Sequence, residues 1–167
     1  MRTAPVRLTV IGVVALGAVV SSGCGETRID VAKGERMILD AVREQVRAEV
    51  KSVECPDGLI AKKGATFRCR VTGTDGTFGD AIVTERDDRG SVSVDAPFLH
   101  VRDVETSVAE GIADDIGGGR VKVRCPEIVT VEAGGTFRCR ARSGGDRARI
   151  RVIQQDDQGR VRYEVLQ

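Results

Sequence analysis

Tryptophan is absent from these 167 residues, and histidine and tyrosine occur once each. Aromatic side chains make up only 3% of the chain, so its cores must be built from Val, Ile, Leu and Ala, which bury less area apiece. With no aromatic residues interleaved among its outward arginines, the chain offers no stacking platform for unpaired bases there, which argues against nucleic acid as a partner. With His100 as the lone imidazole, a histidine-rich metal site is excluded, and a nucleophile that needs an imidazole base has one candidate. Neither Gly-x-Ser-x-Gly nor His-Glu-x-x-His occurs. The formal net charge of +1 names no partner.

Long apolar runs are missing too, with one exception. Leu8 to Val20 is an uncharged stretch of thirteen residues, too short to cross a bilayer as a helix. Arg2 and Arg7 precede it, and Ser21-Ser22-Gly23 lead from it to Cys24, the layout of an export signal over residues 1–23. Small residues ending at a cysteine resemble the bacterial lipobox, with Ser21 standing where that motif usually has Leu. The resemblance implies that Cys24 is lipidated, palmitate included, and anchors the chain to the extracytoplasmic face of the cell membrane. The plainer alternative is an ordinary secretory signal that leaves Cys24 as an unpaired thiol.

What the chain does have is a duplication. Cys55-Pro56 is followed by Gly64-Ala65-Thr66-Phe67-Arg68-Cys69-Arg70. Seventy positions later the same residues return as Cys125-Pro126 and Gly134-Gly135-Thr136-Phe137-Arg138-Cys139-Arg140, with Gly135 in place of Ala65. In each copy the cysteines stand fourteen apart with a turn signal midway, Lys62-Lys63-Gly64 or Glu132-Ala133-Gly134, so a hairpin there brings the pair face to face. Five cysteines are an odd number for an exported protein, and setting Cys24 aside leaves four. Of the three connectivities open to four cysteines, Cys55–Cys69 with Cys125–Cys139 is the one that uses each hairpin locally. Dithiol redox centres usually space their cysteines two residues apart at a helix start, and structural zinc wants close pairs plus histidine. Neither pattern occurs, so the pairs read as structural disulfides, which persist outside the cytoplasm. Modules of about 70 residues with aliphatic cores are the size that needs such staples.

Ile38, Val42, Val46 and Val50 recur every four residues and predict a helix over Arg36 to Lys51. Alternating apolar residues then predict strands around Val53, over Thr66 to Val71, and through Ala81 and Val92, with turns at Asp75-Gly76 and Asp87-Asp88-Arg89-Gly90. The second copy repeats the plan. Its helix carries Val101, Val104, Val108, Ile112 and Ile116 and stops at Gly117-Gly118-Gly119. Its strands run through Val123, Cys139, Ile150 and Val161, with one residue lost in the central hairpin. These patterns predict an α+β fold of two tandem two-layer modules, each one helix packed on a small antiparallel sheet of about four strands with one disulfide. The expected boundaries are a tether over 24–33, a first module over 34–97 and a second over 98–167.

A helix, Cys-Pro, Gly-x-Thr-Phe-x-Cys about a dozen residues on, and an Asp-rich turn with Gly before a final Val-rich strand resemble a known family. It is a domain of unknown function, family 4333, found in small exported lipoproteins of actinobacteria. The resemblance covers both modules and implies the fold, the disulfide and an envelope location. It implies no activity and carries over no functional residue.

Function is therefore sought on the surface. By alternation the second sheet turns Arg120, Lys122, Arg124, Arg138, Arg140, Arg142, Arg147, Arg149, Arg151, Arg160 and Arg162 away from the helix, while Asp103, Glu105, Glu110, Asp114 and Asp115 lie on the helix side. The corresponding face of the first module mixes Arg68 and Arg70 with Thr72, Asp80 and Ser91. The plain reading is a solvated sheet face. The functional reading is a docking surface for an anionic envelope component or envelope protein, centred on Arg138, Arg140, Arg147, Arg149, Arg151 and Arg162. No catalytic, cofactor-binding or metal-binding residue is assigned. Asp87-Asp88 and Asp156-Asp157 are what tight turns use and lack the ligand set of an EF-hand, and His100 reads as a linker residue. The expected function is that of a membrane-anchored, non-enzymatic binding or accessory protein of the envelope. The alternatives are an envelope hydrolase with a site between the modules near His100 and a purely structural spacer.

Overall fold

The computed structural model describes residues 28–166, so the expected signal segment and Cys24 lie outside the described residues. Its first helix, α1 (Val31–Val46), lies earlier than the apolar spacing predicts. The Asp30 carboxylate accepts the Lys33 N–H at 3.0 Å and caps the start, and Arg47, at φ 54°, turns the chain out of the helix at the end. Val50 continues the four-residue spacing but is the first residue of strand β1 (Val50–Glu54), buried there rather than on the helix.

β1 is followed by β2 (Thr66–Gly73), β3 (Phe78–Glu85) and β4 (Val92–Asp95), which pair in chain order as an antiparallel sheet. Ile38, Val42 and Val46 of α1 pack on the inward residues Val53, Cys69, Val71, Ala81 and Val83. Burial of that apolar layer drives the module together, and the outward residues alternate with it at period two. The Cys55–Cys69 bond continues the β1–β2 pairing just beyond the last register pair, Glu54 with Arg70, with Cα atoms 4.2 Å apart.

The second module repeats this with helix α2 (Val101–Asp115) and strands β5 (Val121–Arg124), β6 (Thr136–Ser143), β7 (Asp146–Gln154) and β8 (Val161–Leu166). Cys125 and Cys139 are joined in the same place, again with Cα atoms 4.2 Å apart. The deleted residue falls in the β6–β7 hairpin, where Ser143 pairs with Asp146 across Gly144-Gly145. One expectation fails. Ile116, placed on the buried stripe of α2, is 55% exposed, because the helix ends at Asp115 and the three following glycines all take positive φ and lead the chain away.

The span read as a tether also needs correction at its far end. Arg28 bridges to Ile60 and the Ile29 N–H donates to Leu59 O at 3.0 Å, just as Phe98 bridges to Thr130 and the Leu99 N–H donates to Val129 O at 2.8 Å. Residues 28–33 thus belong to the first module. Its helix starts inside them.

Other repeated contacts show what the fold asks of its sequence. Glu35 and Glu105, on the two helices, each accept the backbone N–H of the first half-cystine, Cys55 or Cys125, at 2.8 Å. Glu85 and Gln154, the two buried polar side chains among the described residues, occupy one position at the end of β3 or β7, 2% and 3% exposed. Glu85 accepts the Lys62 N–H; Gln154 accepts the Glu132 N–H at 2.9 Å and donates to Thr130 O at 3.0 Å. Both hold the loop that carries the chain from one half-cystine to the next strand.

The modules are docked on one another. Ile128, from the loop after Cys125-Pro126, is 3% exposed and packs, with Phe98, into the core of the first module. Gly79 leaves the space they fill: a Cβ there would stand 2.6 Å from the Phe98 ring and 3.2 Å from Ile128. Around this contact Arg102 of α2 reaches Glu49 at 3.2 Å, and the Ile128 N–H donates to Thr77 Oγ1 at 3.0 Å.

Candidate functional site

The outward face of the second sheet is built by register. β6 and β7 align Arg138 with Arg151, Arg140 with Arg149, and Arg142 with Arg147, so three successive outward positions put a guanidinium directly opposite another. β5 widens the array, since Lys122 pairs with Arg142 and Arg124 with Arg140. All of these side chains are exposed. Like charges directly opposite across a sheet destabilise it, by something on the order of 0.2–1 kcal/mol a pair. The same fold needs no such arrangement: in the first module Arg70 stands between Glu54 and Asp80, and Arg68 opposes Ile82. Arg68 lies 3.9 Å from the Asp80 carboxylate and Arg70 stacks 4.6 Å over the Phe78 ring.

Part of the second face is neutralised at its edges. Arg151 and Arg162 share Glu164, at 3.4 and 2.8 Å, Arg124 meets Glu105 at 3.1 Å, and Arg160 pairs with Asp156 in its turn. Arg138, Arg140, Arg142, Arg147 and Arg149 make no ion pair among the described residues. Of the six arginines on which the expected docking surface is centred, Arg138, Arg140, Arg147, Arg149 and Arg151 lie together on β6 and β7 and Arg162 lies on β8, with Arg151 and Arg162 partly spent on Glu164.

Beside this face, at the junction of the modules, opens a cleft of about 730 Å³. Arg124, Arg138, Arg140 and Arg149 line it from the second module, and Arg47, Glu49, Asp75 and Thr77 from the first. Its acids are occupied. Glu49 holds Arg102, Glu105 holds Arg124 and the Cys125 N–H, and Glu127 holds the Thr74 hydroxyl and N–H. Arg47, Arg102, Arg124, Arg138, Arg140 and Arg149 outnumber the lining acids Glu49, Asp75, Glu105 and Glu127, so the cleft is net cationic, and a guanidinium with free N–H groups is a bidentate donor to phosphate or carboxylate. A site between the modules was expected only as an alternative and near His100, whereas the cleft is lined by other residues. It depends on how the loop after Pro126 seats on the first module, which neither repeat discloses alone.

The remaining candidates resolve into structure. His100 caps α2 without a side-chain hydrogen bond to the helix, lies 3.8 Å from Asp103, and is not among the residues lining the cleft. Asp87 accepts the N–H groups of Arg89 and Ser91 at 2.9 and 3.0 Å, and Asp156 those of Gln158 and Arg160 at 2.9 and 3.1 Å. Asp87 sits below the ordinary carboxylate pKa, held there chiefly by its hydrogen bonds from Ser91. At Asp156 desolvation pushes upward, but the hydrogen bonds and charge of Arg160 prevail and the pKa is lowered. Among the described residues no group of three or more His, Cys, Asp or Glu is placed to hold a metal ion. No helix among them is long and apolar enough to cross a membrane.

Comparison with known proteins adds the family. Neither the curated proteins nor the solved structures contain a match to this chain. A domain of unknown function (DUF4333) matches twice, over residues 13–90 and 92–159, each match containing one helix, the disulfide and most of one sheet. With the duplication, the paired cysteines and the common sheet order all in hand, the chain belongs to the DUF4333 family and carries two tandem copies of its domain.

Proposed function

We propose that this is a lipid-anchored lipoprotein of the cell envelope, held through Cys24 on the extracytoplasmic face of the membrane, and that it acts without catalysis by binding an anionic envelope component. The observation that carries the reading is the run of three opposed arginine pairs on β6 and β7. A sheet of this fold is built without them in the first module, so their repulsion is retained for something other than folding. An anionic partner converts that repulsion into charge-assisted hydrogen bonds. The segment from Arg2 to Cys24 supports the address, and the two disulfides suit an oxidising compartment.

Changing Arg147, Arg149 and Arg151 together to Ser tests the binding reading. Retention of the protein by envelope extract and by vesicles with anionic headgroups should fall, and unchanged retention of the variant removes the face from the account. Labelling of the protein by fatty acid in cells, lost on Cys24→Ala, tests the anchor separately.

A further inference from the structure

The arginine pairs have a spacing as well as a sign. Outward positions on a strand recur every second residue, so successive pairs along β6 and β7 stand roughly 6.7 Å apart. The two strands of each pair lie about 4.8 Å apart. The face is a double row of arginines whose backbone positions keep a fixed step along the strands, and Arg138, Arg140 and Arg149 carry it into the cleft wall.

A linear polymer whose phosphates are joined through three-carbon polyol units has the same step. Six bonds separate successive phosphorus atoms, and since three bonds of an extended chain span about 3.8 Å, six span about 7 Å. We propose that the β6–β7 face is a track for a polyol phosphate polymer, with consecutive phosphates bound by consecutive arginine pairs. The proposal rests on the anion-binding reading above and narrows it. Each phosphate in such a polymer carries one negative charge and two free oxygens, and a pair of opposed guanidinium groups can address both oxygens. Single-stranded nucleic acid shares the phosphate step but would bring bases, and the track has no aromatic side chain on which a base can stack. A bilayer presents its headgroups in a plane without a step in register with the strands, and a planar surface does not enter a cleft.

Poly(glycerol phosphate) of one to six repeats, titrated calorimetrically against the full chain, tests the track. Affinity should rise with each repeat up to three and then flatten. Hyaluronate of equal total charge, whose carboxylates recur once per disaccharide and so stand farther apart, should bind at least tenfold more weakly than the polymer. Arg140→Ser with Arg149→Ser should weaken polymer binding at least tenfold. Arg36→Ser with Arg86→Ser, which removes as much charge elsewhere, should leave it within a factor of two. Equal loss in both double variants, equal affinity for hyaluronate, or tighter binding to oligothymidylate or phosphatidylglycerol vesicles overturns the track while leaving anion binding in place. Failure to bind any of these ligands overturns both.

Discussion

Asp75 and Glu127 hold each other's backbone. The Glu127 N–H donates to Asp75 Oδ2 at 3.0 Å, and the Asp75 N–H donates to Glu127 Oε2 at 3.2 Å. One residue sits at the tip of the β2–β3 hairpin of the first module, the other follows Cys125-Pro126 in the second, and the exchange fastens the two in the wall of the cleft.

This clasp should respond to acid. Burial pushes the Asp75 carboxyl upward, but hydrogen bonds from the Thr77 hydroxyl and from the N–H groups of Thr77 and Glu127 outweigh it, and its pKa is lowered from the ordinary 3.8. A lowered pKa in the folded protein contributes stability above about pH 4, and that contribution is lost as pH falls through 3.8 toward the folded value. Module docking, followed by limited proteolysis or small-angle scattering, should loosen in that window. Asp75→Asn should dock more weakly at pH 7 and lose the part of the acid response that belongs to this residue.

Gly79→Ala should separate docking from folding. The added Cβ would meet the Phe98 ring at 2.6 Å and Thr130 Oγ1 at 3.0 Å, an overpacking of the kind that costs about 1–3 kcal/mol. Since those atoms belong to the second module and its approach, thermal unfolding should split into two transitions while both disulfides stay intact. A single transition at the wild-type temperature would contradict the docking described.

Arg149→Glu should have opposite effects on stability and on binding. Placing a carboxylate opposite Arg140 recreates the Arg70–Asp80 pairing of the first sheet, and relief of the repulsion should raise stability by about 0.5 kcal/mol. Retention by anionic ligands should fall at the same time. Denaturant titration and a binding assay on one preparation check both signs.

Glu85→Gln should stabilise the first module. Glu85 is 2% exposed and its repeat partner is Gln154, which satisfies the equivalent loop with both ends of a neutral amide. Exchanging a buried carboxylate for that amide removes a desolvation penalty and supplies a donor, a gain on the order of 1 kcal/mol. Chemical denaturation at pH 7 is the measurement.

The sheet, its disulfides and its outward arginines were legible because period two and a close duplication are both written in single residues. Cys69, Val71, Ala81 and Val83 face inward as alternation requires. Helix limits were not, for two physical reasons. Asp30 caps a first turn whose Lys33 and Gly34 dilute the apolar stripe, and Val50 keeps the helical spacing after Arg47 has already left the helix. Alternation likewise put the arginines on one face but not opposite one another, because facing pairs depend on register across the hairpin. The clasp was hidden altogether. Asp75-Gly76 reads as a turn and Pro126-Glu127 as a loop, and nothing in either stretch names the other.

The seat that joins the modules occurs once among the described residues. Where the first module has Gly79 the second has Ala148, and where the second has Phe98 and Ile128 the first has Arg28 and Gly58. The far hairpin of the chain is thus blocked as a receptor, and its near loop is bare of the plugs such a receptor takes. A head-to-tail contact that could recur would propagate into a filament; here the duplication terminates itself, and transposing the two halves would leave them with no way to grip.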